Sequence, residues 1–129
     1  MAGSSGSLHE NEQSLNPEII DRHRAIVSIM EELEAIDWYD QRIDGATDDA
    51  LKAVLRHNRD EEKEHAAMVL EWLRRQDPVI DEQLRTYLFK EGDIMAVEAE
   101  AEAQDTAAAD DDSDGCLGIG DLRKDEVAP

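Results

Sequence analysis

Three residues, Gly45-Ala46-Thr47, separate two long helical segments. So short a connection forces neighbouring helices to run antiparallel as a hairpin. The first segment opens at Asn16, suited to an N-cap, and Pro17, suited to a first helical position. It runs to about Asp44, and Gly45 stops it. Thr47 is placed to cap the second segment, with Asp48 and Asp49 at the positive end of its dipole. That segment runs to about Gln76 and ends with Arg74 and Arg75 at the negative end. Asp77-Pro78 then opens a shorter third helix whose stop is expected at Gly92.

Along the first helix, Ala25, Ile29, Glu32, Ile36, Tyr39 and Ile43 recur at alternating steps of four and three. Leu51, Leu55, Asn58, Glu62, His65, Val69 and Trp72 do the same on the second. Both are heptad-like seams, apolar at the ends and polar in the middle. A polar group inside a seam is costly unless something satisfies it. Such breaks in an otherwise consistent pattern are where function is expected.

The two breaks fall at one level. Taking residue 46 as the turn, Glu32 lies 14 residues before it, Glu62 16 after and His65 19 after. At about 1.5 Å per residue these are roughly 21, 24 and 28 Å from the turn. Glu62 and His65, spaced i, i+3, project from consecutive turns of one face, so one cation can touch both. Glu32 faces them from the other helix. Carboxylate oxygens plus one imidazole suit Fe(II), Mn(II) or Zn(II) rather than Cu(I) or a thiolate cluster. The same pattern also suits a coiled coil whose polar residues fix register.

Four-helix carboxylate bundles with two metals take a Glu from each of two helices and a Glu-x-x-His from each of the other two. This chain supplies half of that set. A two-helix hairpin also cannot cover its own apolar stripe. Two hairpins related by a twofold axis at mid-height would supply the full bundle and the full ligand set, and twofold dimers are the commonest oligomers. The expected fold is therefore all-α: an antiparallel hairpin plus a short third helix, dimerising into a four-helix bundle.

Charge excludes several partners. The chain carries 33 Asp+Glu against 13 Lys+Arg, a formal net charge of −20. That leaves no basic face for nucleic acid or for anionic lipid. The apolar runs fall short of the roughly 18 residues of a membrane span, and Met1–Ser7 has no apolar core of a signal peptide. A lone Cys116 cannot form an intrachain disulfide. A soluble, cytoplasmic protein is expected. Residues 1–16 read as a disordered polar tail. Residues 93–115, rich in Ala, Glu and Asp, read as an acidic disordered linker, because they hold few large apolar groups.

Other side chains are candidates of lower rank. Glu31 and Glu34 form an i, i+3 carboxylate pair beside Glu32, able to pass cations on or simply to be solvated. His57, Glu61 and Glu64 share another face and form a candidate secondary surface metal site. Tyr39 either lines the metal layer or packs; Trp38 and Trp72 read as packing.

Several runs then carry a resemblance. Arg22-His23-Arg24-Ala25-Ile26-Val27-Ser28, Met30-Glu31-Glu32-Leu33-Glu34-Ala35, Asp37-Trp38-Tyr39-Asp40-Gln41-Arg42 and the stretch from His57 to Met68 resemble the encapsulated ferritins. So do Glu71-Trp72-Leu73-Arg74-Arg75 and Leu84-Arg85-Thr86-Tyr87-Leu88-Phe89. The likeness spans roughly residues 20–92 and marks 17–92 as a half-ferritin helical domain. The terminus, with Leu117, Ile119, Gly120, Leu122 and Arg123, resembles the peptides that dock cargo inside encapsulin shells. Residues 116–129 are read as that targeting peptide. The resemblance implies a ferroxidase that oxidises Fe(II) to Fe(III) with dioxygen. It implies a di-iron centre between two chains, on Glu32, Glu62 and His65 with Tyr39 nearby. It implies a ring of five dimers inside an encapsulin nanocompartment, where the iron is mineralised and stored. It also implies iron uptake along Glu31 and Glu34 next to Trp38.

Two other readings compete. A hemerythrin-like oxygen carrier has a His-rich site, and this chain has four His, His9 in the tail among them. A non-catalytic helical adaptor would deliver its tail to a shell and bind no iron.

Overall fold

The computed structural model describes residues 6–112, and among them every regular element is helical. After a 3-10 turn at Glu12–Ser14 come α1 (Pro17–Gly45), α2 (Asp49–Gln76), α3 (Pro78–Tyr87) and α4 (Ile94–Asp112). The chain divides after Leu84 into two compact units. The first holds the α1–α2 hairpin; α4 lies in the second.

The ends of the hairpin helices have local causes. Pro17 opens α1, but the Asn16 side chain makes no capping bond; its carbonyl accepts from the N–H groups of Ile19 and Ile20 at 3.0 and 3.2 Å. Asp48, not Thr47, caps α2: its carboxylate accepts from the Leu51 N–H at 2.8 Å. Its negative charge suits that terminus better than a hydroxyl does. Gly45 does not stop α1 by a left-handed turn. It is the last helical residue, and the extended backbone of Ala46 ends the helix, with the Ala46 N–H donating to Arg42 at 2.9 Å.

Asp77 does two jobs at the α2–α3 corner. Its N–H closes α2 on the Leu73 carbonyl at 3.1 Å, and its carboxylate accepts from Val79 and Ile80 at 2.9 and 3.2 Å. Arg74 binds Glu71 on its own helix and Asp81 on α3. Arg74 and Arg75 hold the Glu71 carboxyl down at about 2. Their support of the corner is therefore present above about pH 4.5 and fades as pH falls toward 2.

Two expectations fail here. The third helix ends at Tyr87 rather than at Gly92, because Phe89 and Gly92 both take positive φ (58° and 96°) and turn the chain early. The described part of the expected linker, Ile94–Asp112, is helical. Seven of its 19 residues are Ala, the strongest helix former. The low hydrophobicity that argues against a core does not argue against a helix. It leaves one with no apolar face, and Ile94 and Met95 are exposed.

Only Ala25, Ile43 and Leu73 are buried among the described residues. Leu33, Val54 and Met68 each keep more than half their surface. Trp72, expected to close the seam, is 40% exposed, and its neighbour Leu73 fills that place. Leu73→Ala should lower stability by about 2–3 kcal/mol through the cavity it leaves. Gly45→Ala should raise it by about 0.5 kcal/mol, since nothing stands within 4 Å of the added methyl. Thermal melts of both variants check this pair; a Gly45→Ala protein that melts lower than wild type contradicts the account of the turn.

Candidate metal centre

One turn on either side of Glu32, α1 places Ile29 and Ile36, both half-buried. Across from them α2 half-buries Asn58, Glu62, Ala66 and Val69. Packing of these flanking residues brings the polar layer together. Glu32, Glu62 and His65 each offer a ligand atom, all within 4.8 Å of one another, and no other such group occurs among the described residues. His65 Nδ1 lies 3.2 Å from a Glu62 oxygen and 3.9 Å from one of Glu32. Two ligands of one ion, each about 2.1 Å from it, can be up to about 4.2 Å apart. Both contacts fall within that span.

The electrostatics fit the same use. The Glu32 carboxyl is held above its ordinary range, chiefly by its hydrogen bond to Glu62, then by burial and by repulsion from Glu62. His65 opposes the shift, while the charge of Glu31 adds to it. Glu62 is held low by its bonds to Glu32 and His65. The two shifts run in opposite directions, as expected of two like charges held close enough to resist joint ionisation. A cation beside them relieves that repulsion. The Glu32 and Glu62 side chains are 24% exposed and that of His65 51%, so the layer is open at the imidazole.

The other candidates are placed differently. Glu31 and Glu34 are exposed and are not gathered into a ligand set. Trp38 is exposed and Tyr39 half-buried; the Arg42 guanidinium lies 5.9 and 5.6 Å from their ring centres. Sequence reading missed this contact, although the i, i+4 and i, i+3 spacings signal it. His57 pairs with Glu61 at 2.9 Å, and Glu64 does not join them within ligating distance. Glu64 lies instead along an open groove of about 510 Å³ with Met68, Glu71 and Trp72. Leu117, Ile119, Gly120, Leu122 and Arg123 lie outside the described residues. Also missed were the partners of Arg59, on Asp40 and Asp60.

A family model described as EncFtn-like matches residues 7–91. The chain belongs to the EncFtn-like family. It is 58% identical to an "Encapsulated ferritin-like protein" of Rhodospirillum rubrum, over 95% of this chain and 92% of that one. It is 46% identical to a "Ferritin-like protein" of Thermotoga maritima, over 86% and 93%. Over 40% of each chain it is 44% identical to the "Encapsulin nanocompartment cargo protein EncC" of Myxococcus xanthus. The solved structure of protein ne0167 from Nitrosomonas europaea superposes with a TM-score of 0.67 at 56% identity, covering 68% of this chain and 97% of that one. The EncFtn-like match covers both hairpin helices, so all three clustered side chains lie inside it.

The upward shift of the Glu32 carboxyl gives a test. Affinity for a cation should fall as pH drops, because protonation of Glu32 competes with the ion. Calorimetric titration with Co(II) at a series of pH values reads this; an affinity that does not fall with pH contradicts it.

Proposed function

We propose that this protein is a ferroxidase whose substrate is Fe(II) and whose electron acceptor is dioxygen. The observation that carries the reading is the gathering of Glu32, Glu62 and His65 in the middle of the hairpin. Membership of the EncFtn-like family makes iron the expected ion. Two carboxylates and one imidazole are too few for two ions. A second copy of the chain, related by a twofold axis near this layer, doubles the set and forms a di-iron centre between the subunits. It also covers apolar side chains such as Leu33, Val54 and Met68. Five such dimers in a ring are the expected assembly.

The roles follow from the chemistry of each group. Glu32 and Glu62 supply negative charge that favours the higher-charged Fe(III), and each iron loses one electron to dioxygen. His65 supplies a nitrogen ligand from the open side. Tyr39, held against Arg42, stands one or two turns along α1. Glu31 and Glu34, exposed near Trp38, offer an acidic approach for Fe(II). His57 and Glu61 remain a candidate second site at the surface, without Glu64.

The names of two relatives support a place for the reaction. The Rhodospirillum protein is called encapsulated, and the Myxococcus protein an encapsulin nanocompartment cargo. We assign this chain likewise to the lumen of an encapsulin shell, where Fe(III) is mineralised and stored. The docking element is the terminus 116–129, with Leu117, Ile119, Gly120, Leu122 and Arg123. No helix among the described residues is long and apolar enough to cross a membrane.

Glu62→Ala or His65→Ala should slow aerobic Fe(II) oxidation more than about tenfold, read by absorbance of the ferric product. Wild-type rates in either variant would remove the site assignment. Co-expressed with an encapsulin shell, the protein should load, and a form lacking residues 116–129 should not. Equal loading of both forms contradicts the targeting role.

A further inference from the structure

Between the turn and the ligand layer, one ion pair crosses from α2 to α1 among the described residues. Arg59 Nη1 donates to Asp40 at 2.9 Å, while its Nε donates to Asp60 at 3.1 Å. Lys63 in turn holds Asp60 at 3.2 Å. The Arg59 side chain is only 23% exposed. It precedes Glu62 by three residues, so it lies one turn away on the same face.

The short turn fixes helix register but does not fix helix separation at Glu32, about 21 Å away. There Glu32 from one helix must meet Glu62 and His65 from the other, with ligand atoms within 4.8 Å of one another. At the far end Arg22 reaches only the α2 cap residue Asp77, at 3.9 Å. We propose that Arg59 is a positioning residue, whose ion pair with Asp40 holds the two helices together so that Glu32, Glu62 and His65 stand gathered before a cation arrives. The inference rests on the metal-centre reading above. It makes Arg59 act through helix placement and not on the ion itself.

The sign of the effect separates this role from simple charge. A positive group one turn from the ligands repels a cation, so by Coulomb interaction alone Arg59→Gln strengthens binding. Loss of positioning weakens it. The full chain is titrated with Co(II) and followed by visible absorption, with His65→Ala as control. Arg59→Gln should weaken Co(II) binding about two- to five-fold, the scale of a partly exposed ion pair. Asp40→Asn should weaken it similarly, and Arg59→Lys, which keeps the charge, should recover most of the loss. If Arg59→Gln binds as tightly as wild type or tighter, while His65→Ala abolishes the signal, positioning by Arg59 is overturned and the metal centre stands. If His65→Ala leaves the signal intact, the metal-centre reading falls instead. Far-UV circular dichroism checks helicity. Should Arg59→Gln lose helix, Asp40→Asn and Arg59→Lys decide the question by the same titration.

Discussion

Glu32 and Glu62 are carboxylates from two helices, close enough that each shifts the other's pKa. With both ionised, such a layer pushes the helices apart. It stays closed because other contacts fix the helices around it. The turn at 46–48 joins them at one end. Half-buried Ile29 and Ile36 pack on either side of Glu32. Asp40–Arg59 ties the helices on the turn side of the layer, and Arg22–Asp77 lies at the open end. Each of these contacts is modest. Together they hold Glu32, Glu62 and His65 gathered.

The same hairpin is incomplete in two respects, which share a geometric origin. Two helices have one mutual face, and here it buries only Ala25, Ile43 and Leu73 among the described residues. The rest of the apolar surface is left on the flanks, as at Ile26, Met30, Leu33, Val54 and Met68. Four such helices can enclose a core that two cannot. A two-metal site needs ligands from four helices for a similar reason, since each helix presents only one or two side chains at a given level. The second copy of the hairpin proposed above would make good both deficits at once, without any new ligand type.

The hairpin and its ligand layer were legible in the sequence because both are set by spacing. Steps of three and four put Glu32, Glu62 and His65 in one layer whatever their surroundings. Boundaries were less legible, because neighbouring residues compete for one position. Thr47 and Asp48 can each cap a helix, and the charged one does. Trp72 and Leu73 can each face α1, and the smaller, branched one is buried. In α4 the composition was read as a lack of core, when Ala propensity alone is enough for helix. Arg59 was missed because nothing in a seam pattern marks a charged residue beside the seam as a cross-link.

The openness of the layer bears on what kind of metal site this can be. A structural metal site is closed, with every position filled by protein, and its ion does not leave. Here His65 is half exposed, the candidate ligand set of one chain is small, and protonation of Glu32 competes with an ion. Each of these lowers affinity and speeds exchange. They would be defects in a site meant to hold an ion permanently. They suit the proposed ferroxidase reading, in which iron passes through as substrate, entering as Fe(II) and leaving as Fe(III). Preorganisation and weak retention are then compatible demands. The first is met by contacts between the helices, such as Asp40–Arg59, that do not touch the ion. The second is met by the small ligand set of one chain and the exposure of His65, which leave part of an ion's coordination to solvent and, in the proposed dimer, to the second chain.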